Sequence, residues 1–599
     1  MPDQQRLLDG IETGNVQSFD GFPQSLIIAE ELAPVLIPGQ QNDGVIGNGF
    51  TGGGNDRIIS DAAALNGAVV DAGGGDNQLR IDMDGELALP TLLANIQTVT
   101  VTNVENLGVG ADSAISLSRA LDLENLVISE GSANNGDLDV QNIQNGAAAR
   151  LEGEFEANVR LDYGSSQDAI NVTFSNVRFE GGNQFGVSPN AGQVNLTTEG
   201  RLNILDNANF GEFLDTLVID GDAPLEIGNP IQFRDSRPID LDASEASGGV
   251  QLSVQLNTDS DQVVNLQGGA ADDTFTLVGQ TQIGADNEPL VTLTADMGDG
   301  NNGLSFQNDA TLAEGSTISG ETVVVTVGGD ANVANAATVD ITETDGLFDG
   351  ATNAQVLLEE NSTFTVTQDQ FTELGSEAFV AGRGVDLQGN GNATVSLQVT
   401  DNFDVSNLNP GDLADGIDLG LDIAEDVTLE LTGDQLVELL AADVQFDGEG
   451  TVSVEGLTQA NVDDAAAAGV PSLQLLAQGS TEFTFAEDVV VPAGLGLGTA
   501  TAPGGVSHDL DGNNLTLAES GQADELNISN GTLKFDFVGN PGVSIDAGDY
   551  SDISNIEVFE GLVANNTNIE DLFFDLAGSV QATQNLIDVV ETPQDALDQ

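Results

Sequence analysis

Short apolar runs alternate with polar turns along most of this chain. From about residue 46 onward, runs rich in Val, Ile, Leu, Thr and Phe recur roughly every ten residues, separated by Gly, Asn and Asp. β-Branched and aromatic residues favour strands, whereas Gly, Asn and Asp favour turns. The pattern therefore predicts an all-β protein.

One phrase, a polar turn followed by a short strand with alternating apolar positions, recurs at wide intervals. Its copies are NIQTVTV (95–101), DLENLVIS (122–129), EFLDTLVIDG (212–221) and DISNIEVFEG (552–561). In a parallel β-solenoid such strands stack coil on coil, and each coil buries its face only against its neighbours. We therefore expect an elongated multi-domain protein with parallel β-solenoid (β-helix) regions. The alternative is a string of β-sandwich domains, whose strands have similar length and spacing.

Four turns combine glycine with Asp or Asn just before a predicted strand. They are GGGNDRI (52–58), GGGDNQL (73–79), GGAADDTF (268–275) and the looser GDGNNGL (298–304). The second starts 21 residues after the first, which is about the length of one solenoid coil. Glycine admits left-handed backbone that can direct carbonyl oxygens to one point, and Asp and Asn add side-chain oxygens. Ligand sets made only of oxygen suit a hard cation, above all Ca²⁺.

The turns define a set of candidate calcium ligands, with Asp and Asn supplying side-chain oxygens and Gly supplying carbonyls. The set is Gly53, Asn55, Asp56, Gly74, Asp76, Asn77, Gly268, Asp272, Asp273, Asp299 and Asn301. The alternative for each turn is structural: Gly provides a positive φ, and Asn or Asp bonds its own backbone.

The second half of the chain contains a different repeat. LEENSTFTVTQDQF (358–371) aligns without gaps to IAEDVTLELTGDQL (423–436), an offset of 65 residues. Each copy continues into a short stretch of helical character, a Gly-rich turn and a strand. This repeat predicts a duplicated unit of strand, short helix and hairpin.

These patterns divide the chain into four parts. Residues 1–45 are expected to form an extended assembly segment, because the apolar patch LIIAEELAPVLI (26–37) is interrupted by Pro34. Residues 46–310 form the solenoid-like region, and residues 311–500 the duplicated region. Residues 501–599 form a C-terminal β region.

Charge narrows the choice of function. The chain carries 98 acidic and 12 basic side chains, a formal net charge of -86, so it must repel itself and lacks the basic patches that nucleic acids require. Cysteine is absent, which excludes disulfides and zinc–sulfur sites and suits an exported protein. No apolar run approaches the roughly 20 residues of a transmembrane helix, so no transmembrane segment is expected.

The GGxGxD-like turns, the acidic cysteine-free composition and an N-terminus without a signal peptide together resemble RTX-type proteins. Within that group, the chain is most similar to the surface-layer (S-layer) proteins that Gram-negative bacteria export by type I secretion. The resemblance implies calcium-bound β-helical regions and self-assembly into a lattice at the cell surface. It also implies an uncleaved C-terminal secretion signal, for which the acidic and apolar stretch from Asn568 is the candidate. Outer-membrane lipopolysaccharide or a surface glycan would be a further partner.

The sequence contains few candidate catalytic residues, and we therefore do not expect this protein to be an enzyme. His508 is the single histidine and Lys534 the single lysine, so histidine-based triads have at most one member here. The sequence does not exclude a pair of catalytic carboxylates for glycoside hydrolysis, because acidic residues are abundant along the whole chain. Two alternatives to a surface-layer protein therefore remain: a secreted calcium-dependent adhesin or biofilm matrix protein, and a β-helical polysaccharide-degrading enzyme. Arg57 and Arg80 each follow one of the candidate calcium-binding turns. Each arginine could form a salt bridge to an acidic neighbour or simply lie at the surface.

Overall fold

A computed structural model describes most of residues 55–517 and five separate strands outside that range. The gaps within 55–517 are residues 56, 84, 104–111, 132–135, 166, 189–190, 212, 235–236, 257–260, 280–289, 329–336, 383–384, 386–391, 402–404, 406–407, 409–412, 474, 477 and 497–504. The separate strands lie at 25–28, 45–46, 527–529, 531–536 and 556–562.

The chain forms two compact units. The first comprises Met1–Thr326 and Glu343–Gln355, and the second comprises Val327–Thr342 and Val356–Gln599.

Short strands dominate both units. Strands β1–β26 are Ser25–Ile28, Val45–Ile46, Arg57–Asp61, Val69–Asp71, Gln78–Met83, Leu87–Ala88, Leu92–Ala94, Thr98–Asn103, Ser113–Ser116, Asn125–Gly131, Leu138–Ile143, Ala148–Phe155, Val159–Tyr163, Gln167–Ser188, Ala191–Glu199, Asn203–Asn209, Thr216–Gly221, Leu225–Gln232, Ile239–Asp242, Val250–Gln255, Gln262–Gln267, Thr274–Val278, Leu290–Asp296, Asn301–Phe306, Ala310–Leu312 and Thr317–Val327. Strands β27–β42 are Thr338–Asp340, Gly350–Leu358, Thr363–Thr367, Phe379–Ala381, Ala393–Val399, Ile417–Ile423, Thr428–Thr432, Gln445–Gly448, Thr451–Leu457, Ser480–Phe485, Val489–Val491, Val506–Asp509, Asn514–Leu517, Asn527–Ser529, Gly531–Asp536 and Ile556–Leu562. The α-helices α1–α4 are Ala62–Leu65, Gln368–Leu374, Gly433–Ala441 and Gln459–Ala467, and Ser376–Ala378 forms a 3₁₀ turn.

The strands build a parallel β-solenoid of about 16 turns, which confirms the predicted all-β solenoid fold. A strand typically pairs with the second strand after it, so that two strands and their turns make one coil. All pairs whose register the structure describes are parallel, which excludes the antiparallel pairing of a β-sandwich string. For example, β8 pairs with β10 with Thr98 opposite Asn125.

Two of the recurring phrases, NIQTVTV and DLENLVIS, occupy neighbouring coils at β8 and β10. The backbone amide of Asn95 donates to Oδ2 of Asp122 on the next coil, at 2.8 Å. Asn95 has a positive φ of 58°, a conformation that Asn tolerates better than most residues. The phrase therefore marks one repeated corner of the solenoid.

The core follows the two-residue period of the strands. In β5, Leu79, Ile81 and Met83 are fully buried while the intervening side chains face outward. Aromatic rings add to the stacking, because Phe155 and Phe179 lie parallel with ring centroids 4.8 Å apart. Burial of side chains this large contributes about 1.5–3 kcal/mol each, so neighbouring coils hold one another in place.

The duplicated region contains the predicted strand and helix, but not the hairpin. Strands β29 and β33 each run into a helix, and Thr367 and Thr432 cap α2 and α3 with the same capping box to a Gln three residues later. A third copy, which the sequence alignment missed, caps α4 with Thr458 and Asn461. The hairpin prediction is wrong for β34 and β35, because β34 pairs in parallel with β32 and β35 pairs in parallel with β33.

Part of the expected N-terminal assembly segment belongs to the solenoid. Strand β1 pairs in parallel with β3, with Ser25 opposite Arg57. The rest of the apolar patch, residues 29–37, lies outside the described residues.

Candidate functional site

The first two glycine turns lie on neighbouring coils. Strand β3 pairs with β5 with Arg57 opposite Gln78, so the 21-residue spacing of the sequence is one coil of the solenoid. The amide of Asp76 donates to Oδ1 of Asn55 at 3.0 Å, and both residues are exposed. Gly53 and Asp56 lie outside the described residues. The structure therefore brings Asn55 and Asp76 together and leaves Gly74 at the surface of the same turn.

Asn77 points the other way, into the protein. Its side chain is fully buried, and Nδ2 donates to the carbonyl of Asn95 on the next coil at 2.7 Å. The backbone amide of Asn77 donates to Oε1 of Gln97 at 2.8 Å. These bonds make Asn77 an organiser of the turn, which is the structural alternative that the sequence left open.

The third and fourth turns also lie on neighbouring coils. Strand β22 pairs with β24 with Thr274 opposite Gly303, one coil of 29 residues later. The amide of Asn301 donates to Oδ1 of Asp272 at 2.8 Å. The sequence analysis related only the first two turns by their spacing, and the coil between the third and fourth turns is longer than the first one. The structure stacks acid-bearing turn on acid-bearing turn in both places.

Asp273 is buried beneath its exposed neighbour Asp272. Its Oδ1 accepts from the amide of Val250 and its Oδ2 from the amide of Gly269, both at 2.7 Å. Burial raises the pKa of the Asp273 carboxyl, and the negative charge of Asp272 adds to this rise. The hydrogen bonds from the two backbone amides lower the pKa, but the net effect is a rise. The carboxylate thus joins three stretches of backbone inside the solenoid.

Close backbone approach explains the glycines of this stack. Gly298 has a φ of +71°, and a Cβ there would lie 2.1 Å from the carbonyl oxygen of Gly269. That carbonyl accepts from the amide of Asp299 at 3.1 Å, and the carbonyl of Gly298 accepts from the amide of Glu321 at 3.0 Å. These two carbonyl oxygens therefore already take part in hydrogen bonds between coils.

The outer edge of this stack carries carboxylates from three coils. Oε2 of Glu321 accepts a hydrogen bond from the backbone amide of Gly300 at 3.3 Å. The next backbone amide, that of Asn301, donates to Asp272. Asp299 is on the same turn as Gly300. Within the part of the chain that the structure describes, however, no group of three or more acidic or histidine side chains is arranged to hold a metal ion. Calcium binding at these turns stays a prediction.

Sequence reasoning missed an acidic groove elsewhere on the first unit. It has a volume of about 580 Å³, and its lining residues come from successive coils: Thr197, Thr198, Glu199, Gly200, Asp220, Gly221, Asp222, Glu245 and Ser247. A signal was present in the sequence, because Glu199, Asp222 and Glu245 follow one another at intervals of 23 residues.

Arginines neutralise some carboxylates within the first unit. Arg80, one of the two singled out from the sequence, bonds through Nε to Oδ1 of Asp82 at 2.9 Å. Arg150 pairs with Glu152 on its own strand and reaches Oε2 of Glu199 at 2.8 Å. Arg57 is exposed and has no ion pair within the described residues.

The single histidine belongs to the core. His508 is buried, and its ring stacks on Phe483 with centroids 5.6 Å apart. Lys534 lies on β41, opposite Glu560 of β42.

No helix in the described part of the chain has the length and apolarity to cross a bilayer. Comparison of the chain with protein-family models, with curated proteins and with solved structures gives no match.

Proposed function

We propose that this chain is an extracellular structural protein that self-associates, with calcium, into a surface layer or matrix. The observation that carries the proposal is the stacking of acid-bearing turns on neighbouring coils, with Asn55 over Asp76 and Asp272 over Asn301. Each stack brings an oxygen-bearing side chain of one coil next to the turn of the following coil. Hard divalent cations bind such oxygens and lower the repulsion between like-charged surfaces.

The charge of the chain makes association depend on cations. With 98 acidic and 12 basic side chains, two copies repel one another at low ionic strength. Calcium outside the cell reaches the millimolar range in which weak extracellular sites are filled. Folding and association would then be favoured after export, where calcium is plentiful.

The decisive experiment is electron microscopy of the purified chain in a calcium buffer and in the same buffer with a chelator. Ordered sheets or a lattice in calcium, dispersing on chelation, are the expected result. Single particles in both buffers, with light scattering of a monomer at high protein concentration, would contradict the proposal.

The acidic groove favours one second candidate, a polysaccharide-degrading enzyme. It places Glu199, Asp220, Asp222 and Glu245 around one depression, and paired carboxylates are the chemistry of glycoside hydrolysis. Release of reducing ends from an acidic polysaccharide, lost in the variant Asp220→Asn/Asp222→Asn, would establish this activity. Equal product from the wild type and that variant would assign the activity to a contaminant.

A further inference from the structure

Three Asn–Gly pairs lie in the described part of the chain: Asn66–Gly67, Asn145–Gly146 and Asn302–Gly303. In such a pair, the amide nitrogen of the glycine can attack the side-chain amide of the asparagine, because glycine has no side chain to obstruct the approach. The asparagine then becomes aspartate or isoaspartate without an enzyme. Solvent access, the hydrogen bond of the glycine amide and the polarity of the asparagine carbonyl control the rate, so the contacts of the three pairs rank their reactivity.

The pair Asn302–Gly303 is closed to this reaction. The side chain of Asn302 is only 1% exposed, and its Oδ1 accepts from the amide of Asp273 at 2.8 Å. The amide of Gly303 donates to the carbonyl of Asp273, also at 2.8 Å. Burial excludes the water that must take up and return protons, and the nitrogen that would attack is already engaged. We therefore expect Asn302 to persist.

The other two pairs occupy turns of the same kind. In Asn66–Gly67 and in Asn145–Gly146 both residues are exposed, and the glycines have φ values of +77° and +85°. Each turn is closed by a hydrogen bond from the amide after the glycine to the carbonyl before the asparagine, at 3.0 Å and 3.2 Å. A difference in reactivity between these pairs must therefore come from the contacts around each turn.

The glycine amides of the two turns differ in their contacts. The amide of Gly67 donates to the carbonyl of Leu89 on the next coil at 2.9 Å. This bond stabilises the protonated nitrogen and holds it away from the asparagine. Among the described residues, no acceptor lies within hydrogen-bonding distance of the amide of Gly146. The nitrogen of Gly146 can therefore lose its proton and attack at a smaller cost.

The asparagine of the second turn is also polarised by a neighbour. The hydroxyl of Ser165 donates to Oδ1 of Asn145 at 2.9 Å. When a nitrogen attacks the side-chain carbonyl, negative charge develops on this same oxygen. A hydrogen bond aimed at the oxygen stabilises that charge, as the donors of an oxyanion hole do in enzymes.

The stacking of the coils places Ser165 beside Asn145. Strand β11 pairs with β13 with Ile143 opposite Tyr163, so the turns that follow the two strands lie side by side. The amide of Gly164 donates to the carbonyl of Ile143 at 3.4 Å, which joins the two turns directly. The serine that polarises Asn145 thus comes from the next coil, 20 residues later.

We propose that Asn145 is a site of spontaneous deamidation, activated by Ser165. The amide nitrogen of Gly146 loses its proton to water and bonds to Cγ of Asn145, which closes a succinimide ring. The bond from Cγ to Nδ2 breaks, and Nδ2 takes up a proton and leaves as ammonia. Water then opens the ring at either carbonyl. The product is an aspartate, with a new negative charge, or an isoaspartate, which adds a carbon to the backbone at a corner of the solenoid.

The test follows the three asparagines in the folded full-length chain by peptide mapping and mass spectrometry during incubation at slightly alkaline pH. Asn145 should convert about tenfold or more faster than Asn66, since two hydrogen bonds distinguish their turns. In denaturant the two rates should become similar, because both asparagines are followed by Gly and Ala. Equal rates at Asn66 and Asn145 in the folded chain, or an unchanged ratio in denaturant, would overturn the proposal.

Variants of the serine test its part in the reaction. Ser165→Ala should slow conversion at Asn145 by about threefold to tenfold, the effect of one hydrogen bond, while the rate at Asn66 stays the same. Ser165→Thr keeps a hydroxyl and should restore most of the rate. Circular dichroism of each variant verifies that the solenoid is retained. Conversion at Asn145 that is as fast in Ser165→Ala as in the wild type would refute activation by the serine.

Discussion

The carboxylate of Asp272 accepts a hydrogen bond from the amide of Asn301, 29 residues later in the chain and one coil away. Its neighbour Asp273 points inward and accepts from the amides of Gly269 and Val250. Two adjacent acids of one predicted calcium turn thus have different surroundings, and their substitutions should have different effects.

Asp273→Ala should destabilise the first unit. It leaves two buried amides without an acceptor, at a cost of about 1–3 kcal/mol for each unsatisfied group. Thermal denaturation followed by circular dichroism measures the effect. The adjacent variant Asp272→Ala, at an exposed position, is the control and should lower the melting temperature much less. Equal melting temperatures for the two variants would contradict the inward role of Asp273.

Asp272→Ala should instead reduce the number of bound calcium ions while the β-structure is retained. Its carboxylate lies at the outer edge of the stack, beside the turn that carries Asp299. Isothermal titration calorimetry counts the ions per chain, and Asp309→Ala provides an acid outside the four turns for comparison. An unchanged stoichiometry would leave the turn with a structural role alone.

Chelation should lower the melting temperature of the whole chain, because the acidic turns repel without a cation. Restoring calcium at about 100 times its dissociation constant should recover about 2.7 kcal/mol per independent site. Magnesium should recover less, since it requires a tighter octahedral set of ligands. Identical melting curves with and without the chelator would count against calcium binding.

Asp422→Asn should raise the stability of the second unit at neutral pH. Burial, followed by the charges of Asp447 and Asp340, raises the pKa of Asp422 above its ordinary value of 3.8. The folded protein therefore favours the protonated acid, and this contribution to stability is lost as the pH rises through the raised pKa. Below pH 3.8 the acid is protonated in both states, and the variant should melt like the wild type.

The variant Asp447→Asn provides the control for this pH dependence. It removes a charge opposite Asp422 but leaves Asp422 buried, so it should produce a smaller rise over the same pH range. A fall in melting temperature of Asp422→Asn at neutral pH would mean that the carboxylate has a stabilising partner there.

Gly298→Ala should be far more damaging than Gly315→Ala. Both glycines have a positive φ, +71° and +85°, which costs about 1–2 kcal/mol for an alanine. A Cβ at Gly298 would also lie 2.1 Å from the carbonyl oxygen of Gly269, whereas Gly315 has open space around it. The difference between their melting temperatures isolates the close approach of two coils, and similar losses for both variants would disprove it.

Periodicity was sufficient to predict the solenoid and the first stack of turns. The spacing between the turns at 52 and 73 equals one coil, because nothing is inserted between strands β3 and β5 beyond a short helix and one strand. The stack of the turns at 268 and 298 was not predicted, since their coil is lengthened to 29 residues. Varying coil length hides neighbours that a fixed period would reveal.

The inward direction of Asn77 and Asp273 could have been predicted from the same two-residue period. Asp273 precedes the buried Phe275 by two positions, and Asn77 stands in the same relation to Leu79.

The hairpin was predicted wrongly for a different reason. A Gly-rich turn between two short strands is the usual hairpin signal, but in a solenoid it carries the chain around a corner to another sheet.

The parallel register has a consequence for how the chain acquires its fold. Residues opposite each other in paired strands are separated by between 18 and 32 residues of sequence, as for Asn514 with Thr532 and Ser25 with Arg57. Such a low contact order means that ordering one coil closes only a short loop. Each finished coil then presents an edge with unpaired backbone groups, and the following segment can pair with that edge as it emerges from a ribosome or a channel. A fault in one coil would halt this growth locally, without unravelling the coils already formed.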